Sequence, residues 1–179
     1  LEEVFRRCPE LKDVFMDGTE RRVQKPKNIK KRNKLYSGKK KATTRKIVIV
    51  SDERKRILYM TPTKSGRRHD KRLADKFGIM AAIPRHVTMW TDTGFQGIQK
   101  QHSNVIMPIK RSRRHPFTEA DKANNRLMSG IRVVSEHAIG GMKRFKAVSD
   151  VYRNKLVNMD DLMNRLCAGL WNLHLDQTI

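Results

Sequence analysis

The chain has 179 residues, and its 40 Lys plus Arg against 18 Asp plus Glu leave a formal net charge of +22. Hydrophobic residues make up 37%, enough for one real core, which excludes a disordered basic tail. Charge of that size opposes compaction; its use is to meet a polyanion, with nucleic acid ahead of an acidic substrate or an anionic membrane.

Membrane and secretory classes find no support. The longest aliphatic run, Ile47-Val48-Ile49-Val50, is far short of the ~20 residues that span a bilayer. The opening Leu1-Glu2-Glu3 lacks the apolar stretch of a signal peptide. Cys8 and Cys167 have no metal-ligand spacing and read as unpaired thiols of a reducing compartment.

In chain order, Leu1–Cys8 reads as the tail of a helix closed by Pro9. Leu11–Met16 predicts a strand ending on Asp17, with Gly18-Thr19 turning behind it. Residues 21–46 hold 13 Lys or Arg and no acid, and within them Tyr36-Ser37-Gly38-Lys39-Lys40-Lys41 is a turn carrying a charge cluster. Arg45–Ser51 and Arg56–Thr61 predict two strands joined by a hairpin loop. His69-Asp70 opens a short helix with Leu73, Ala74 and Phe77 on one side and Gly78 at its end. Asp70 reads as the cap of that helix and His69 as a loop residue; an auxiliary role beside an active site is the alternative for both.

His86–Thr91 is a further strand, again followed by an acid, Asp92, and a Thr93-Gly94 turn. Asn104–Ile109 predicts a fifth strand, and Arg111–Pro116 a basic loop. The spacing is helical from Thr118 to about Lys146 and from Asp160 to Leu175. Leu162, Leu166, Leu170 and Leu173 form the apolar side of the second helix, for core packing or for a second copy. Strands first, then helices, point to an α/β fold: a mixed sheet covered by helices.

Two apolar strands that each end on an Asp can present both carboxylates to one point. On a helical wheel of ~100° per residue, Asn125, Ser129, Arg132, Glu136 and Lys143 form one narrow polar stripe on the first long helix. Leu127, Ile131, Val134, Ala138 and Phe145 lie opposite. The plain alternatives are Asx residues satisfying local backbone groups and a solvated helix face. Gly140-Gly141 near that helix's end signals a close backbone approach or a bend. Carboxylates gathered on a strongly basic chain suit divalent ions that activate the attacking oxygen and stabilise the leaving oxygen of a phosphodiester. The surrounding Lys and Arg would hold the backbone of the nucleic acid.

Taken together, Asp17-Gly18-Thr19-Glu20, Tyr36 to Lys41, Gly66 with His69-Asp70, Asp92-Thr93-Gly94-Phe95-Gln96-Gly97 and Arg132 to Gly140 with Lys143-Arg144-Phe145 resemble the DDE transposases of bacterial insertion sequences. The nearest group is that of insertion sequence five, with the PIF/Harbinger transposases as more distant relatives. The resemblance implies a ribonuclease-H-like core, with a mixed five-stranded sheet flanked by helices, over residues 11–179. Residues 1–10 would then be the tail of an N-terminal helical DNA-binding region, missing here or supplied separately.

The implied catalytic and metal-binding triad is Asp17, Asp92 and Glu136, separated by 75 and 44 positions. It would hold Mg2+ or Mn2+, in two ions. Arg132 and Lys143 would contact phosphates near the scissile bond, but the family's tyrosine is replaced by Ser129, so its role does not carry over. In the family reading water nicks the transposon end and the freed 3′-hydroxyl attacks target DNA. Lys39, Lys40, Lys41, Arg45, Arg111, Arg113 and Arg114 are further DNA-contact candidates, since the acid-free stretch offers its charge no internal partner. Asn125 is a further auxiliary candidate, and Tyr36 the aromatic placed to stack on a base. Implied partners are the duplex terminal repeats, target DNA and a second copy. The implied compartment is the bacterial cytoplasm, at the nucleoid. A degenerate copy that binds DNA without cutting it, and a plain packaging protein, are the readings outside the enzyme class.

Overall fold

The computed structural model describes residues 1–112 and 116–178. Helix α1 (Glu2–Arg7) precedes strand β1 (Asp13–Arg22). Helix α2 (Ile29–Leu35) and strands β2 (Tyr36–Ser37), β3 (Ala42–Asp52), β4 (Ile57–Met60) and β5 (Lys64–Ser65) follow. Then come helix α3 (Asp70–Lys76) and strands β6 (Thr88–Thr91) and β7 (Val105–Ile106). Helices α4 (Glu119–Lys143), α5 (Lys146–Ser149) and α6 (Met159–Asp176) complete the order.

One mixed sheet of seven strands follows the path β2-β3-β1-β6-β7, with β4 and β5 also paired to β3. β3 is antiparallel to both β1 and β4, whereas β6 is parallel to β1 and β7 to β6. The series β4-β3-β1-β6-β7 is therefore an antiparallel meander extended by two parallel strands, the ribonuclease-H-like arrangement; β2 and β5 are two-residue additions. Side-chain alternation divides the apolar residues between the two faces. Val14, Met16, Val48 and Val50 pack with Leu73, Met89 and Phe95 on the α3 side. Ile47, Ile49 and Ile57 pack with Ala138, Met142 and Trp171 beneath α4 and α6.

Three expectations change. β1 does not turn at Asp17-Gly18: its ladder with β3 is unbroken from Val14↔Asp52 to Arg22↔Thr44, so Asp17 lies in mid-strand. A helix, α2, forms inside the basic stretch, started by Asn28, whose side chain accepts from the Lys31 N–H. Finally, Leu162, Leu166, Leu170 and Leu173 of α6 are 50, 54, 40 and 51% exposed, so they are not core. The buried side of α6 is Asp160, Asn164, Cys167, Ala168 and Trp171. Its polar members are buried because each has a partner: Asp160 pairs with Arg45, the Asn164 amide donates to the Thr63 hydroxyl, and Trp171 Nε1 donates to the Lys55 carbonyl.

α4 starts at a capping box between Thr118 and Asp121. Its burial is confined to the C-terminal half, at Ser135, Ala138, Gly141 and Met142, while Leu127 and Ile131 of the expected apolar side are exposed. The close approach expected at the glycine pair belongs to Gly141, which lies against the Trp171 ring; Gly140 meets open space. No helix among the described residues is long and apolar enough to cross a membrane.

Candidate active site

Asp17 and Asp92 come together through register. β1 and β6 pair in parallel from Asp13↔Thr88 to Met16↔Thr91. Asp17 and Asp92 are therefore the next residues along two neighbouring strands, which lie ~4.8 Å apart. The Thr91 hydroxyl donates to the Met16 carbonyl (3.1 Å) and locks that alignment. Asp17 stands opposite Ile49, so alternation directs it to the face covered by α4 and α6. Each carboxylate is fixed through one oxygen: Gly18 N–H donates to Asp17 Oδ1 (2.7 Å), and Thr93 N–H donates to Asp92 Oδ1 (2.6 Å).

Gathering these charges is costly. Burial pushes the Asp17 carboxyl above the ordinary carboxylate range, against the Gly18 N–H and the Arg132 guanidinium, which pull it down; Asp92 and Asp70 raise it further. Arg132 Nη1 is 3.9 Å from Asp92 Oδ1, with the arginine side chain 15% exposed. At the other end of α4, Lys143 Nζ donates to the Glu20 carbonyl (3.5 Å). Burial lowers the Lys143 pKa, Lys40 adds to this, and Asp17 and Glu20 oppose it.

Glu136 lies between these two cations along α4, one turn beyond Arg132. It is exposed, and among the described residues nothing bonds its side chain. Also among the described residues, no group of three or more His, Cys, Asp or Glu is close enough to hold a metal ion. The sheet brings together two carboxylates, and the third candidate stands on the helix beside them.

Beneath the pair, on the α3 side, lies an ionic cluster that the sequence reading missed. Lys46 is 6% exposed, and its Nζ is 2.9 Å from Asp70 Oδ1 and 3.2 Å from Glu20 Oε1. Asp70 is therefore not a helix cap: its carboxylate pairs with Lys46, and His69 at the cap position makes no side-chain capping bond. Glu20 also accepts from the Thr44 hydroxyl (2.6 Å). Burial acts to raise the Glu20 pKa, but hydrogen bonds from Thr44, Ser37 and Lys46 together with the Lys46 charge leave it lowered.

Both glycines after the strand acids touch this cluster. A Cβ on Gly18 would lie 2.7 Å from Asp70 Oδ1, and one on Gly94 would lie 3.2 Å from Asp70 Oδ2. Gly18 leaves room for a third carboxylate within a continuing strand, and Gly94 does so within the turn Thr93–Phe95 that follows β6. No local pattern marks Lys46, which follows Arg45 and precedes Ile47 on β3.

The remaining candidates divide. Lys39 and Lys40 line a hollow with Lys143, Lys46 and Asp70, next to Gly18. Arg45 is held by an ion pair with Asp160 and lies over the Tyr152 ring, so its charge has a partner outside the acid-free stretch. Asn125 is committed to the chain before the basic loop: its amide donates to the Ile109 carbonyl (3.0 Å) and accepts from the Ile109 N–H (2.8 Å). That role is structural. Arg111 is exposed, and Arg113 and Arg114 lie outside the described residues.

Chemically, this is a strip of oxygen donors on a sheet, bounded by cations that can hold phosphates. A family model described as DDE superfamily endonuclease matches residues 16–172. A probable transposase for insertion sequence element IS702 from Microchaete diplosiphon is 32% identical over 162 residues, which cover 90% of this chain and 57% of that protein. The chain thus spans little more than half the length of that curated relative. No solved structure matches it.

Proposed function

The chain belongs to the DDE superfamily of endonucleases, and from that premise we propose that it is the catalytic part of a DNA transposase, cleaving DNA at the ends of a mobile element and joining them to target DNA. The observation that carries this reading is the parallel register that sets Asp17 beside Asp92 on the face crossed by α4. Endonucleases of this superfamily use divalent metal ions. The residues fit such an ion: two neighbouring carboxylates are hard oxygen donors, and their mutual repulsion is relieved by a cation.

Asp17 and Asp92 would hold the first ion. Glu136 would complete a two-ion set of Mg2+ or Mn2+ once its side chain turns from solvent toward β1. When bound, the ions supply charge neutralisation at the phosphodiester and activation of the attacking oxygen. Arg132 and Lys143 flank Glu136 on α4 and would orient the scissile phosphate, with Lys39, Lys40 and Arg111 extending the phosphate track. Lys46 pairs with Asp70 beneath the two acids, where the Asp70 carboxylate lies against both Gly18 and Gly94.

The 32% identical relative is a probable insertion-sequence transposase, which supports mobile-element ends as substrate. A homodimer on DNA follows from the need to bring two ends together, and end recognition would come from a separate N-terminal module. The competing reading is a copy that binds DNA without cutting it, and the exposure of Glu136 is the observation on its side.

Cleavage of a labelled duplex carrying terminal repeats, in Mn2+, separates the two. Nicking by the wild type that is abolished by Asp17→Asn, Asp92→Asn and Glu136→Gln, with DNA affinity unchanged, supports the enzyme. Equal nicking by all three variants refutes the triad.

A further inference from the structure

Beyond the acidic strip, the basic stretch builds a second concave site at the far end of β1 and β3. α2 and the β2–β3 hairpin flank an open hollow of about 460 Å³, a volume within the range of small-ligand pockets. Lys25, Arg32 and Lys41 supply its charge, Asn33 an amide, and Tyr36 a ring that is 46% exposed. Residues 21–46 contain no acid, and among the described residues none of the three cations is in an ion pair. Lys41 adopts a left-handed backbone with φ +47°, a conformation that costs a non-glycine residue ~1–2 kcal/mol. Lys41 closes the turn of residues 38–41 into β3 and lines the pocket from there.

We propose that this pocket takes one unstacked nucleotide of a DNA strand, its base on the Tyr36 ring, its edge toward the Asn33 amide and its flanking phosphates on Lys25, Arg32 and Lys41. Charge alone would suffice to hold a duplex backbone. An exposed aromatic ring in a hollow of this size adds a stacking surface that suits an unpaired base. The location fits a strand that also reaches the acidic strip. Asp17 and Arg22 lie five positions apart on β1, and Arg22 is paired with Thr44 next to the pocket wall at Thr43. Five residues of strand cover ~17 Å, about five nucleotides at the ~3.4 Å rise of one DNA strand. This inference rests on the DNA-processing reading and names a substrate form for it, a duplex with an unpaired segment near the cleavage point.

The test compares, in EDTA, the binding of a blunt duplex and of the same duplex with a five-nucleotide extension carrying 2-aminopurine. The wild type should bind the extended duplex about tenfold more tightly, the scale of one base–aromatic stack, and should quench the probe. Tyr36→Ala should lose that preference and the quenching while keeping affinity for the blunt duplex and an unchanged thermal midpoint; Tyr36→Trp should restore both. Lys25→Ala with Lys41→Ala should flatten the salt dependence for the extended duplex by about two phosphate contacts.

Equal affinity of Tyr36→Ala and wild type for the extended duplex overturns the pocket while leaving the DNA reading standing. Displacement of the probe by an equimolar free mononucleotide overturns the strand assignment. Binding of neither duplex would refute the DNA reading itself, and the pocket with it.

Discussion

Gly141→Ala tests how α4 is seated, and thereby how Arg132, Glu136 and Lys143 are set against β1. A Cβ at this position would lie at or within 2.5 Å of three carbons of the Trp171 ring, whereas carbon atoms in contact prefer ~3.5–4.0 Å. The ring must therefore retreat by more than an ångström. It is 6% exposed, and its Nε1 donates to the Lys55 carbonyl (2.9 Å), so it has neither free space nor an idle polar atom. Overpacking of this kind costs ~1–3 kcal/mol, and weakening the Trp171 hydrogen bond about 1 more. The helix gains ~1 kcal/mol when alanine replaces glycine.

The net expectation is a loss of ~1–3 kcal/mol, a fall in thermal midpoint of about 3–10 °C for a chain of this size. Gly140 is the internal control. No atom lies within 4 Å of its added Cβ, so Gly140→Ala keeps only the propensity gain and should raise the midpoint by ~2–4 °C. The two variants should part in DNA cleavage as well, Gly141→Ala impaired and Gly140→Ala near wild type. Thermal denaturation of both, followed by circular dichroism, is the assay. Equal shifts at the two positions would refute the reasoning that α4 docks through Gly141 on Trp171.

The Asp17 carboxyl, raised by burial, binds its proton more tightly folded than unfolded, so its own contribution to metal-free stability is fully present below the ordinary value of 3.8 and is lost as pH rises through the raised value. Asp17→Asn keeps an acceptor for the Gly18 N–H and removes the charge; in EDTA it should melt above wild type at pH 7, with the gain vanishing near pH 3, and an unchanged or lower midpoint at pH 7 would contradict this. Gly18→Ala should displace the Asp70 carboxylate from Lys46, with a cost of ~1–2 kcal/mol read by urea denaturation; no loss would show that the cluster yields freely. Leu166→Glu with Leu170→Glu changes an exposed stripe, so the thermal midpoint should stay within a few degrees, while light scattering on DNA should read a dimer for wild type and a monomer for the variant. A wild-type monomer on DNA would remove the second copy from the account.

The acid pair was legible in the sequence because both acids close apolar runs, and a parallel sheet aligns such ends. The stripe Arg132, Glu136 and Lys143 was legible from helical spacing, and Arg132 and Lys143 do reach the β1 and β6 side. Helical spacing misled on α6, where counting leucines marked the wrong side. The buried side there is chosen by Arg45, Thr63 and Lys55, partners roughly a hundred residues away that no local window contains. The role of Asp70 was hidden for the same reason, since Lys46 and the two glycines that accommodate it lie on three other elements. The Asp-Gly pair read as a turn because glycine after aspartate usually is one. Here the strand continues, and the missing side chain leaves space for a carboxylate.

Mn2+ titration followed by electron paramagnetic resonance asks whether Asp17 and Asp92 together hold a divalent cation. The expected result is stoichiometric loss of the free-Mn2+ signal with the wild type in the presence of duplex DNA, and return of that signal with Asp17→Asn or Asp92→Asn at unchanged DNA affinity. Mn2+ bound equally by wild type and both variants, or by none of the three, would contradict it.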